Sequence, residues 1–126
     1  MTRRQQTVAL TVAGILVTSA SFAHHTWPVD RSTLVTVRGT VTGYEWSNPH
    51  VMIALEVKSD AGKVERWNVG GPSTERMAAN GWDRTTLKPG DVITGIGYRF
   101  TDGQNVVRLE KIVMSTGKEM FLYGRR

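Results

Sequence analysis

The sequence predicts an all-β domain with one short helix, folded as a small five-stranded Greek-key barrel. Three observations carry that expectation. Five segments of strand character follow one another as three strands, a short helix and two more strands. The first is long and interrupted by Gly39 and Gly43, as a strand must be if it is to bend and serve both halves of a barrel. The 13 glycines favour turns and β-structure over long helices. This is the element order of the OB-type barrel; an open sandwich with the same number of strands shares the pattern and stays open at this point.

Leu34–Trp46 reads as the first strand, with Val35, Val37 and Val41 on one face. Tyr44 and Trp46 fall on the opposite parity, which a bulge near Gly43 would reconcile. Ser47-Asn48-Pro49 is a tight polar break. Val51–Val57 then alternates cleanly, with Val51, Ile53, Leu55 and Val57 facing inwards. Asp60-Ala61-Gly62 is a hairpin turn leading to a third strand, Val64–Val69. After Gly70-Gly71-Pro72, a short helix over Ser73–Ala79 ends at Asn80-Gly81, the glycine supplying the left-handed cap. A turn over Leu87–Asp91 opens the fourth strand, Val92–Phe100, with Val92, Ile96, Tyr98 and Phe100 on one side. Thr101-Asp102-Gly103 turns the chain into Val106–Ser115, and Lys118–Leu122 adds an edge. Trp67 and Trp82 read as core, whereas Trp27 and Trp46 flank the tail and a turn and are the better surface candidates.

The first 23 residues read as an address. Arg3 and Arg4 precede an apolar run of ten, Val8–Val17, and a small, polar stretch ending at Ala23. This is the layout of a secretory signal peptide, with cleavage expected between Ala23 and His24 and a periplasmic destination for the product. The apolar run is too short to span a bilayer comfortably. Residues 24–33 then form an N-terminal tail and 34–126 the barrel domain. Formal charge is +5, falling to +3 once Arg3 and Arg4 are lost, too mild and too scattered to argue for nucleic acid. The chain has no cysteine, which excludes a disulfide framework, thiolate zinc sites, iron–sulfur clusters and cysteine nucleophiles.

Ala23-His24-His25-Thr26-Trp27, Gly39-Thr40-Val41, Glu45-Trp46-Ser47-Asn48-Pro49-His50 and Leu87-Lys88-Pro89-Gly90-Asp91 together resemble a family of small exported bacterial proteins catalogued as a domain of unknown function. The likeness covers essentially the whole mature chain, and Trp-Ser-Asn-Pro-His is its most specific part. It implies an exported single domain and lends no activity or ligand.

His24, His25 and His50 are the only histidines. Cleavage before His24 would place its α-amine and imidazole side by side as a chelate, and His50 would be a third nitrogen donor. Such a set suits Cu(II). The bland reading is that the first two are solvated on a tail and that His50 is a turn residue bonded to backbone. In an OB-type barrel the connections between strands one and two and between strands four and five flank the usual ligand face. Trp46, Ser47, Asn48 and His50 would sit at the first, Asp102 and Gln104 at the second. No nucleophile elbow, phosphate loop or carboxylate pair announces catalysis. The expectation is therefore a periplasmic binding module in which copper is the concrete ligand. The competing reading is a cell-envelope interaction domain without metal, docking an envelope protein or a small ligand. A copper-dependent oxidoreductase is the weakest of the three.

Overall fold

A computed structural model describes residues 26–124. Its elements are β1 (Val35–Glu45), β2 (Met52–Lys58), β3 (Val64–Gly70), α1 (Thr74–Ala78), β4 (Val92–Arg99), β5 (Val106–Met114) and β6 (Glu119–Phe121). β1 pairs with β2, β2 with β3, β4 with β1 and β5 with β4, all antiparallel. A short parallel pairing of β3 with β5, Asn68–Gly70 against Val106–Arg108, closes the ring. The expected five-stranded barrel is therefore the fold, with β6 added beside β5.

β1 explains how the ring closes. Val35–Thr40 pairs with β4 and Thr40–Glu45 with β2, so this one strand changes partners midway. At the change-over stands Gly39, where a Cβ would lie 2.6 Å from the Glu56 carbonyl oxygen, so only glycine lets the two backbones approach. The predicted bulge falls between Val41 and Gly43. Beyond it the parity of the strand reverses, and Tyr44 and Trp46 turn to pack partly against the core that Val37 and Val41 line before it.

The core is one cluster, with Val41, Ile53, Leu55, Val69, Ile93, Val107, Leu109 and Ile112 inside the barrel. Met77 of α1, with Trp82, Leu87 and Leu122, extends that cluster. Ser73 caps the helix by accepting from the Arg76 N–H, and Gly81 follows it at φ +88°. The Trp82 indole N–H donates to the Phe121 carbonyl at 2.9 Å, satisfying the one polar atom that this buried ring carries.

β4 departs from a hydrophobicity-only reading. Val92, Ile96, Tyr98 and Phe100 do share a side, but each is only half-buried; the fully buried positions are Ile93, Gly95 and Gly97. The interior is narrow here because β5 approaches closely at its own irregularity opposite Ile96 and Gly97. A Cβ on Gly97 would meet the Arg108 carbonyl oxygen, and one on Gly95 would lie 2.7 Å from Leu109 Cδ2. Beyond Ile93, the inward positions of this strand are thus glycines.

Candidate functional site

The β1–β2 connection, residues 46–51, is held by its partners across the molecule. The Asn48–Pro49 peptide is cis. The Asn48 side-chain oxygen accepts from both the Thr74 N–H (2.9 Å) and the Thr74 hydroxyl (3.0 Å), while its amide donates to Glu75 Oε1. Asn48 thereby satisfies a first-turn N–H of α1 that no helix of its own can satisfy. The Glu75 carboxylate, hydrogen-bonded by its own backbone N–H and by Asn48, is held below the ordinary carboxylate range. Next along the chain, Val51 exchanges backbone hydrogen bonds with the Gly71-Pro72 segment.

His50 stands between that segment and the N-terminal stretch. Its Nδ1 lies 3.1 Å from the Gly71 carbonyl oxygen, and its Nε2 lies 3.1 Å from the Trp27 indole nitrogen. An indole N–H only donates and a carbonyl only accepts, so these partners assign the neutral tautomer with the proton on Nδ1. The Nε2 lone pair is aimed at Trp27.

Trp27 bridges the two connections. Its ring centroid is 4.4 Å from that of His50 and 5.6 Å from that of Phe100, both tilted contacts. Gly70 makes room for it, since a Cβ there would come within 2.8 Å of the Trp27 ring and 2.5 Å of Met52 Sδ. The backbone follows the same course. Val29 forms an antiparallel bridge with Phe100, Asp30 N–H donates to the Arg99 carbonyl, and Thr101 N–H donates to the Pro28 carbonyl at 2.8 Å. Residues 26–30 thus form a strap over the end of the barrel, laid from the β1–β2 connection to the β4–β5 connection.

The β4–β5 connection, residues 100–105, is organised locally. Arg99 donates to the carbonyls of Gln104 and Gly103 and to Asn105 Oδ1, while its guanidinium lies 5.0 Å from the centroid of the Trp67 ring. The Asp102 carboxylate accepts from the Gln104 N–H and caps the turn. Of the residues singled out in the sequence, the structure ties Asn48 to α1 and His50 to Trp27. Ser47 bonds its near neighbour Glu45, and Trp46 packs against Tyr44 at 6.2 Å between centroids. Asp102 and Gln104 are exposed, and among the described residues no hydrogen bond joins them to the β1–β2 connection. His24 and His25 lie outside the described residues. Among the described residues no three histidine, aspartate or glutamate side chains gather as a metal set.

Two residues escaped the sequence reading. Trp27 was legible only as an aromatic on a tail, although its position two residues beyond a histidine pair was a signal. Tyr44 was read only for its parity. Its hydroxyl donates to the Asp83 carbonyl at 2.7 Å, and burial pushes its pKa up to about 12.

Strand order, the helix between β3 and β4, and an outer face bounded by these two connections define an OB-type barrel. The chain belongs to the family of unknown function DUF6152, whose model matches residues 13–108, a span that contains the strap, α1 and both connections. No curated protein matches it. Among the described residues no helix is long and apolar enough to cross a membrane.

Proposed function

We propose that the protein is an exported binding module that takes Cu(II) at its processed N-terminus, with His50 completing the donor set. The observation that supports this reading is the direction of the His50 lone pair. Histidine ligands characteristically donate their second ring N–H to a carbonyl or carboxylate, which fixes the ring and leaves the other nitrogen basic. His50 has that arrangement, with Nδ1 on the Gly71 carbonyl and Nε2 turned to the strap. Three residues of chain reach at most about 11 Å, so a terminus at His24 stays tethered close to the Trp27 that touches His50. The α-amine and imidazole of His24 and the Nε2 of His50 are the nitrogen donors that Cu(II) prefers, with His25 as a spare. Binding through Nε2 requires the Trp27 indole to give up its hydrogen bond.

That requirement supplies the test. Cu(II) is titrated, in competition with a chelator, into protein that begins at His24. The expected result is that His50→Ala weakens binding by about tenfold or more, and that Trp27→Phe, which frees Nε2, strengthens it. Equal affinity in all three would sink the role of His50. A specific observation favours a second reading in that event: Trp27 already satisfies Nε2, so the described contacts are complete without a metal, and the same face then serves an envelope partner.

A further inference from the structure

The strap is attached in a manner that other proteins use for separate peptides. Its backbone adds an antiparallel rung beyond the end of β4, through Asp30 N–H to Arg99 and Thr101 N–H to Pro28. One aromatic side chain anchors it, seated among His50, Phe100 and Met52 over Gly70. Main-chain pairing with a side-chain pocket is the physics of strand addition. Moreover, among the described residues none from Thr26 to Leu34 belongs to the core cluster or is fully buried. The strap can therefore leave without opening the barrel. Its departure would uncover the Phe100 ring, Met52 and the lone pair of His50, a surface that calls for an occupant of the same kind.

We propose that this seat is a docking groove for an extended peptide segment of a partner protein carrying a tryptophan followed by proline, and that the chain's own Thr26–Asp30 holds the groove in cis. The chemistry of the occupant is read from the one it has. An indole supplies the single N–H that His50 Nε2 accepts, and an aromatic body fills the gap between His50 and Phe100. The proline in second place has no N–H to leave unpaired, and its carbonyl is the acceptor for Thr101. A strap tethered to its own seat acts at a high effective concentration, so it suppresses a competitor without any special affinity.

The test uses a fluorescently labelled peptide, Thr-Trp-Pro-Val-Asp-Arg-Ser-Thr, matching residues 26–33, with binding read by anisotropy in the presence of a chelator. The chelator separates this inference from the copper reading, since no metal takes part. Full-length processed protein with Trp27→Ala is expected to bind the peptide saturably and not to bind the same peptide with alanine in place of tryptophan. Wild-type protein is expected to bind about tenfold or more weakly, because its own strap competes. Circular dichroism and a cooperative melt check the fold of the variant. A folded variant that binds no peptide, equal binding by variant and wild type, or indifference to the peptide's tryptophan overturns the proposal. A variant that cannot fold overturns it as well, because the strap would then be integral to the barrel.

Discussion

The two connections that flank the strap's face are built in opposite ways. In the β1–β2 connection, Asn48 bonds to residues 26 and 27 positions away, and His50 to residues 21 and 23 positions away. In the β4–β5 connection, Asp102 caps its own turn two residues on, and Arg99 gathers carbonyls four and five residues ahead. Both present polar side chains, and both looked alike as candidate ligand loops. The first is a junction where helix, strap and two strands meet. The second is a turn shaped mainly by its own residues, whose outside connections run through Asn105 to Arg66 and Asn68 and through Phe100 and Thr101 to the strap. Long-range contacts make a loop's shape depend on the whole fold, whereas local ones let it keep its shape almost alone.

Substitutions break this comparison most sharply at the junction. Trp27→Ala should lower unfolding free energy by about 2 kcal/mol in chemical denaturation, less than for a fully buried aromatic because the ring is half-exposed. Asn48→Ala should cost about 1 kcal/mol, the loss of a helix-terminal acceptor, and hydrogen exchange should quicken in α1 before it does in the barrel strands.

Tyr44 leads into the junction and offers a pH readout. The unfolded phenol ionises near its ordinary value of 10.0, while the half-buried one in the fold holds its proton to about 12. Between those values the unfolded chain binds fewer protons than the folded one, so stability falls as pH rises through the window. Below it the contribution is fully present. Denaturation midpoints across that range should flatten in Tyr44→Phe, and an unchanged slope would show that the phenol is not its source. At the other connection Asp102→Ala should change stability by no more than about 0.5 kcal/mol, the usual range for an exposed site. A loss as large as that of Asn48→Ala would erase the contrast between the two loops.

Much of the barrel could be read from the chain. The bulge was announced by Gly43 together with the parity clash of Tyr44 and Trp46, and the helix by Ser73 and Gly81. These are signals of local geometry, carried by the residues that adopt it. The interior of β4 was not legible, because Gly95 and Gly97 are core by virtue of what β5 brings near them. The site was half legible. Its residues were picked out by type, but Asn48 proved to be a tie to α1 and Trp27 the ring between two loops.

What the amino-acid sequence determined by itself was the succession of strands, the turns between them and the point at which the first strand must bend. Alternation, glycine and proline act within a few residues and do not wait for a partner. Tertiary structure decided which nitrogen of His50 carries the proton, which loop Trp27 covers, and which glycines lie inside. Each of those depends on groups brought together from distant parts of the chain. A hydrogen bond or a close backbone approach exists only after the barrel has closed around it.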